Sequence, residues 1–445
     1  MSEITIDLRL TFKIPEHNLT INSLVYGLKE SSSRIHGTIL TTMMKALEGR
    51  LIETMIRNNP GRYKKNGYQS RERTLKSSLG TLRYRFAQLS DTHDNQRQTI
   101  TPLMEFLAIP SYSHYLEEAT EPAIGLSIHV SYRRSSCEVE RIQGVSMSHT
   151  TVHRRLQQFA TTHCPFGCRK DIAYRYLVVD GTKVKLQDPA GESLGQTEMR
   201  WALASTGPHG RFEPVGFWIN TDWAQIRKDL NERLDYAKLQ ILFSDGGPGI
   251  AENLLHEDMQ QQRCQWHGKR DVPYLLYADG IKKPAQQPFM EKLRSIPALN
   301  FTKTQLEALR PKDRPAVEGI ADKTTKGFQE LLDALDPTTY PKTRAYIQNL
   351  MQPVTTFLSR WLQQGEIIPL TTNAIESAFS QVCNRIKRVG RRWSEQGLLN
   401  WLKVTFYKIF KPYQWNLIWF ENKTLLPKIK LLDLQASYSW SSAIT

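Results

Sequence analysis

The chain contains 445 residues, too many for one compact core, and at roughly one domain per 150 residues we expect two to four structural units. Its formal net charge is +15 and its pI is about 9.5, which favours a polyanionic partner, and nucleic acid is the leading candidate. The five cysteines are an odd and sparse set, which argues against a disulfide framework and fits a reducing compartment.

Targeting and membrane-spanning patterns are not visible in the sequence. The first residues contain neither a basic nor an apolar targeting region, so we expect no secretory signal. The most apolar late stretch, 398–420, is interrupted by lysines and a proline, and it lacks the roughly 18 uninterrupted apolar residues of a membrane span. We therefore expect a cytoplasmic protein, located with the chromosome or nucleoid, that has no membrane partner.

The N-terminal part predicts a helix followed by a basic hairpin. Apolar residues recur every four positions between Ser33 and Arg57, which indicates a helix that packs in a core or a dimer. The segment 57–86 is strongly basic, and its apolar pattern predicts two short strands around a turn at Gly80. A solvated charged hairpin would look similar, but the excess of cations favours phosphate contact. The residues that we assign to DNA here are Arg71, Arg73 and Lys76.

Residues 122–160 have the outline of a helix-turn-helix. A helix near 124–132 and a short helix at 136–143 precede a turn at Gly144 and a recognition helix that Ser148 would cap. The outward side chains of that helix could contact base edges or phosphates, although plain helical packing gives the same pattern. The outward candidates are His149, His153, Arg154 and Arg155.

Two pairs of potential zinc ligands are present, and neither is complete. Cys164 and Cys168 lack a second pair at suitable spacing, so linker cysteines are the preferred interpretation. Cys264 and His267 are three residues apart, and two ligands alone cannot form a structural zinc site. A buried cysteine beside a hydrogen-bonded histidine is their ordinary explanation.

Three carboxylates occur in settings that suggest metal chemistry. Asp180 and Asp245 each follow an apolar run and precede glycine, and although one Asp-Gly alone would indicate a turn, both end predicted buried strands. Glu376 opens a predicted helix, where Asn373 offers a capping box as the alternative explanation. Magnesium prefers carboxylate oxygens together with substrate phosphate, so acids gathered from separate elements suit phosphoryl transfer and indicate a nuclease or transposase.

The order of elements around these acids predicts a mixed sheet. Strands are expected at 174–179, 183–186 and 199–205, a helix at 223–236 and a buried strand at 239–243, which is the order of a ribonuclease H-like core. Polar residues 269–369 predict a helical insertion, and a last helix runs from Thr371 toward Lys387. The cationic end of that helix suits a phosphate backbone. Its assigned DNA contacts are Arg385, Arg388, Arg391 and Arg392.

In combination, these features resemble the Mutator-type DDE transposases of mobile elements over about residues 174–410. The resemblance rests on the strand-ending Asp180, Ser-Asp-Gly at 244–246, Cys264-x-x-His267, the helical insertion, and Thr-Thr-Asn-x-Ile-Glu at 371–376 followed by basic residues. It implies a catalytic, metal-binding triad of Asp180, Asp245 and Glu376, with His267 beside it. It also implies Mg²⁺, with Mn²⁺ as a substitute, double-stranded terminal-repeat and target DNA, and a homodimer or higher assembly on that DNA.

We therefore predict an α/β fold with a ribonuclease H-like mixed-sheet catalytic core and a helical insertion, preceded by a helical and helix-turn-helix DNA-binding region. In the expected mechanism two magnesium ions roughly 3.5 to 4 Å apart serve both strand cleavage and strand transfer. A transposase-derived regulator without catalysis and a structure-specific nuclease without strand transfer are the alternatives. The predicted units are 1–60 (helical), 61–170 (DNA-binding), 171–268 (first part of the core), 269–368 (insertion), 369–412 (last core helix) and 413–445 (tail).

Overall fold

The computed structural model describes residues 3–15, 17–92, 98–109, 114–163, 166–389, 392–421 and 433–434. The strands are β1 (Tyr63–Tyr68), β2 (Arg73–Ser77), β3 (Gly80–Tyr84), β4 (Ala87–Asp91), β5 (Gln98–Ile100), β6 (Tyr176–Gln187), β7 (Ser193–Ser205), β8 (Glu213–Ile219), β9 (Ile241–Ser244) and β10 (Gln260–Arg263).

The helices of the first half are α1 (Ile21–Asn58), α2 (Pro102–Phe106), α3 (Glu117–Ser127), α4 (Tyr132–Gln143), α5 (His149–Thr162), α6 (Trp223–Arg233) and α7 (Ile250–Leu254). Those of the second half are α8 (Gln265–Arg270), α9 (Val272–Ala278), α10 (Lys283–Ser295), α11 (Lys303–Ala308), α12 (Arg314–Asp333), α13 (Pro341–Val354), α14 (Thr356–Gln364), α15 (Asn373–Cys383), α16 (Glu395–Phe410) and α17 (Pro412–Asn416). Two π-helical turns, Asn384–Val389 and Leu417–Glu421, continue α15 and α17.

The largest sheet has five strands in the order β10-β9-β6-β7-β8. β6, β7 and β8 form an antiparallel meander, whereas β9 pairs with β6, and β10 with β9, in parallel. The predicted α/β class is therefore confirmed. The predicted strands 174–179 and 183–186 are one strand, β6, and β8 was not predicted. The fifth strand, β10, was not predicted, because its sequence Gln-Gln-Gln-Arg lacks an apolar pattern.

β6 corrects one prediction directly. It continues through Asp180 and Gly181 and stays in register with β7 from Tyr176 to Leu186, so the prediction that the strand ends at Asp180 was wrong. The apolar alternation continues past the acid, since Val184 and Leu186 share one core with Tyr176. A Cβ at Gly181 would lie 2.8 Å from the Glu198 carboxylate on β7, so a larger residue there would require the Glu198 side chain to shift.

Helices cover both faces of this sheet. On one face, Tyr176 and Val178 of β6 belong to a core that α5, α14, α15 and α16 complete. On the other face, Leu177 and Val179 pack in a core with α6 and α7. Alternation along β6 thus directs the even-numbered side chains, including that of Asp180, toward the layer that contains α15.

The N-terminal elements carry the predicted hairpin and helix-turn-helix outline. α1 begins at Ile21, earlier than the predicted Ser33, and β2 pairs with β3 around Gly80 as expected. α4 ends at Gly144, which has a left-handed φ of 68°, and the Ser148 hydroxyl accepts the Thr151 amide at 3.2 Å to cap α5. α3, α4 and α5 form a small core of their own, and the second half of α5 packs into the sheet core. DNA contact by these elements stays a prediction.

The helical insertion has a separate apolar core built by α9, α10, α12 and α13, whereas α14 packs against the sheet. The boundaries between the predicted units stay predictions. Within the described ranges, no helix combines the length and the apolar character needed to cross a membrane.

Candidate active site

The sheet register brings Asp180 and Asp245 to the same level. In the parallel pair of β6 and β9, Val178 lies opposite Phe243, and in each of the two segments the aspartate follows two residues later. Asp180 therefore lies inside β6, and Asp245 directly follows β9. Two carboxylates separated by 65 positions in the chain become neighbours because their strands are paired.

The turn that carries Asp245 is held by its own backbone and by one arginine. The Gly247 amide donates to Asp245 Oδ1 at 2.9 Å, and Arg263 Nη2 donates to the Asp245 carbonyl at 3.2 Å. Gly246 has a φ of 85°, and a Cβ there would lie 2.1 Å from Arg263 Nε. The Arg263 guanidinium also lies over the Tyr346 ring of α13, 4.7 Å from its centroid, so the insertion contacts the base of this turn.

Glu376 reaches the same region from the first turn of α15. Thr372, not Asn373, precedes this helix, and its hydroxyl donates to Glu376 Oε1 at 2.8 Å. The capping box that Asn373 could have formed is therefore not present. The preceding loop is fixed to α8, because the Gln265 amide donates to the Leu370 carbonyl at 3.2 Å.

Cys264 at the start of α8 lies beside the end of β9, and His267 of α8 lies near Glu376. The Cys264 amide donates to the Ser244 carbonyl at 2.9 Å, which sets α8 beside the end of β9. His267 Nδ1 lies 3.8 Å from Glu376 Oε1, and both Cys264 and His267 are buried. The structure thus brings together Asp180, Asp245, Glu376 and His267, whose roles stay predictions.

The acids act on one another electrostatically. Burial and the nearby Asp245 carboxylate raise the pKa of the Asp180 carboxyl to about 7, although the Gly181 amide and His267 oppose the rise and Glu376 adds to it. Burial alone would raise the pKa of the Cys264 thiol, but His267 and Thr372 bring it below its ordinary value. Burial alone would lower the pKa of His267, but Cys264 and Asp245 raise it above its ordinary value. Negative charge is thus concentrated at this site.

Asp180 should make the metal-free protein less stable as pH rises. Its pKa in the folded chain, about 7, exceeds the ordinary value of 3.8, so the folded state binds the proton more tightly than the unfolded state does. This contribution is complete below about pH 4 and is lost as pH rises through about 7. We expect the uncharged Asp180→Asn protein to melt roughly 2 °C or more above the wild type at about pH 8 in a metal chelator.

Calorimetric melting of both proteins between about pH 5 and about pH 8 measures this difference. Asp258→Asn is the matched control, because it makes the same substitution at an exposed position outside the acid group. A difference between Asp180→Asn and the wild type that does not grow with pH would contradict the expectation.

The predicted DNA-binding residues fall into three groups. The exposed ones are Arg71, His149, His153, Arg154, Arg388 and Arg392, and the partly buried ones are Arg73, Lys76 and Arg155. Lys76 Nζ donates to the Ser146 carbonyl at 2.8 Å, so it joins the hairpin to the turn of the helix-turn-helix. Arg391 and Cys164 lie outside the described residues, and Cys168 is exposed.

Arg385 does not lie on the predicted DNA-binding surface. Its side chain is only 4% exposed, its Nε donates to the Val130 carbonyl at 3.0 Å, and its guanidinium lies 4.5 Å from the centroid of the Trp393 ring. It therefore joins the last core helix to the helix-turn-helix and does not face a phosphate backbone.

Residues that sequence reasoning missed also shape the site. Arg263 supports the Asp245 turn, and no local pattern marks it. Thr372 contacts Glu376 across the i, i+4 spacing that opens α15, which the sequence could have indicated. The exposed Lys387, noticed only as part of a basic run, donates from Nζ to Thr182 Oγ1 at 2.8 Å, on the β6 face that also carries Asp180.

No protein-family model matches the chain, and no curated protein matches it. Among solved structures, the chain is similar to the Drosophila P element transposase strand transfer complex, with a TM-score of 0.27 and 15% sequence identity. The similarity covers 69% of this chain and 82% of that chain. A TM-score this low carries no conclusion about fold or function.

Proposed function

We propose that this chain is a metal-dependent DNA transposase of the Mutator type, which cleaves DNA at element ends and transfers the cut strand into target DNA. The observation that carries the proposal is the convergence of Asp180, Asp245 and Glu376 from β6, the end of β9 and the start of α15. The sheet supports a ribonuclease H-like core, because an antiparallel meander is followed by two parallel strands at the edge of its first strand.

The donor set fits Mg²⁺, with Mn²⁺ as a substitute. Three carboxylates offer the oxygen ligands that hard divalent cations prefer, and burial together with the neighbouring Asp245 carboxylate raises the pKa of Asp180. Asp180 and Asp245 would hold the metal from two neighbouring strands, and Glu376 from the facing helix. When bound, the metal would neutralise charge at the scissile phosphate and activate the attacking oxygen.

The surrounding residues would orient these acids and the DNA. Arg263 and Gly246 fix the turn of Asp245, and the Thr372 hydroxyl fixes one oxygen of Glu376. His267 is 7% exposed, so it would position Glu376 and would not touch DNA. Lys387, held on β6 by Thr182, would contact a backbone phosphate beside the acids, and the basic surface continues at the exposed Arg388 and Arg392.

The helix-turn-helix would bind DNA through the exposed face of α5. Replacing Arg154 with Ala should weaken binding and reduce the slope of log affinity against log salt by about 1, because one fewer phosphate counterion is released. Binding titrations at several salt concentrations measure this slope. Lys283→Ala is the control, since Lys283 is exposed on α10 of the insertion and its loss should leave the slope unchanged. An equal slope for Arg154→Ala and the wild type would remove this helix from the DNA contact.

The experiment that tests the function combines the protein, Mg²⁺, labelled DNA from both flanks of its coding region, and a supercoiled target plasmid. A transposase should yield labelled DNA joined to the plasmid. Cut products without joined products would indicate the structure-specific nuclease, and a shifted band with neither product would indicate the regulator. The regulator is the less favoured alternative. Partly buried carboxylates repel the phosphates of DNA, so they oppose DNA binding unless they hold a cation.

A further inference from the structure

Cys264 and His267 form a pair of metal-binding side chains outside the proposed acid triad. Cys264 precedes the first residue of α8, and His267 follows three positions later, so both side chains lie on one face of its first turn. Their exposed fractions are 1% and 7%. In the sequence this pair lacked a third ligand, and the fold supplies one.

Glu376 is that third ligand. One ligand atom each from Cys264, His267 and Glu376 can be chosen so that all three lie within 4.8 Å of one another. The residues come from two segments more than 100 positions apart, which the bond between the Gln265 amide and the Leu370 carbonyl holds side by side. The arrangement therefore follows from the tertiary structure and not from one local turn.

A second observation points to a ligand at this place. His267 Nδ1 is buried and has no hydrogen-bond partner among the described residues, although it lies 3.8 Å from Glu376 Oε1. A buried nitrogen without a partner destabilises the fold, so such atoms are rare unless something binds them. The separation is too long for a hydrogen bond, yet it is close to the spacing of two ligands on one metal ion.

We propose that Cys264, His267 and Glu376 form a zinc site with one open coordination position. Bond lengths of about 2.3 Å to sulfur and 2.0 to 2.2 Å to nitrogen and oxygen place tetrahedral zinc ligands roughly 3.3 to 3.6 Å apart. The 3.8 Å between His267 and Glu376 needs only a small contraction, and rotation of exposed Glu376 atoms can provide it. A sulfur and nitrogen donor pair selects zinc over magnesium, which prefers oxygen. Asp180 and Asp245 add negative potential nearby.

Zinc binding by the full-length, metal-free protein tests the site without any assay of activity. We expect one high-affinity Zn²⁺ per chain in competition with a chromophoric chelator. Cys264→Ser should weaken this binding at least about tenfold. Cys383→Ser is the matched control, because Cys383 is a partly buried thiol on α15 outside the group. The Cys383→Ser protein should bind zinc with the same affinity as the wild type.

Cobalt provides a readout that does not depend on any variant. Co²⁺ bound to the wild-type protein should show a thiolate-to-metal charge-transfer absorption, and Zn²⁺ should displace it. The site is overturned if wild-type protein shows no such absorption, or if Cys264→Ser, folded by circular dichroism, binds zinc as tightly as the wild type does.

One consequence of the site rests on the proposed function. Glu376 belongs to both groups, so zinc should remove a ligand from the magnesium site and inhibit Mg²⁺-dependent cleavage, and Cys264→Ser should resist that inhibition. Equal inhibition of both proteins would contradict this coupling. If no protein cleaves DNA with Mg²⁺, the proposed function fails, while the zinc and cobalt measurements still decide whether the site exists.

Discussion

Asp245→Asn is expected to lower the rate of DNA-strand cleavage by about a thousandfold or more, with DNA binding retained. The amide replaces a charged ligand by a neutral one, so the site loses attraction for a divalent cation where negative charge develops in the reaction. Asp180→Asn and Glu376→Gln should behave alike, because in the proposed mechanism the three residues act as one unit. Single-turnover cleavage of labelled flanking DNA measures the rate, and gel shifts with the same DNA measure binding.

A double variant and an exposed control variant test this expectation further. The double variant Asp180→Asn/Asp245→Asn should be hardly slower than either single variant, because removing one member already disables the unit. The exposed Asp258→Asn should cleave as the wild type does. If one of the three single variants keeps its cleavage rate within about tenfold of the wild type, the residue it replaces does not belong to the proposed triad.

In the absence of metal, Asp180→Asn should change heat stability and activity in opposite directions. Asp180→Asn should be inactive yet more heat-stable than the wild type near neutral pH, because burial and the Asp245 carboxylate make the charged Asp180 unfavourable in the fold. Added Mg²⁺ should raise the melting temperature of the wild type more than that of this variant. A folding defect would instead lower stability and activity together, so the two explanations give different results.

Asp180 and Asp245 could be predicted from sequence because each follows an apolar run that forms a buried strand, and Glu376 because it opens a predicted helix. Whether these acids lie close together depends on which strands pair, and only the predicted order of elements indicated that pairing. The setting of Asp180 was misjudged, since Asp-Gly is a strong local turn signal. Here the glycine fits a close approach by Glu198, a contact made only after β6 and β7 pair.

Burial of individual charges was the least predictable feature. Arg385 stands in a run of cations that suggests a DNA surface, yet it packs beside Trp393 and donates to Val130, which is 255 positions away. The polar strand β10 has no apolar signal, because its place at the sheet edge is set by β9 and by contacts from α13 and α14. Such features depend on partners that are distant in sequence.

Glu366 is a second buried charge of this kind, and its replacement by Ala should cost about 3 to 5 kcal/mol of unfolding free energy. The carboxylate is 8% exposed and accepts from Arg175 Nη2 at 2.6 Å, from the Tyr176 hydroxyl at 2.7 Å and from Arg360 Nε at 2.8 Å. These bonds join the start of β6 to α14 and to the loop that leads to α15. Without Glu366, Arg360 remains as a buried charge with the side-chain oxygen of Gln240 as its described acceptor.

Urea denaturation of the wild type, Glu366→Ala and Glu366→Ala/Arg360→Met measures this cost. The double variant should recover part of the loss, because replacing both partners by apolar groups removes the unpaired charge. Glu257→Ala, at an exposed position, should change the unfolding free energy by less than about 0.5 kcal/mol. If Glu366→Ala costs no more than this control, the ion cluster does not hold β6 against α14, and the position of Asp180 opposite α15 must depend on apolar packing alone.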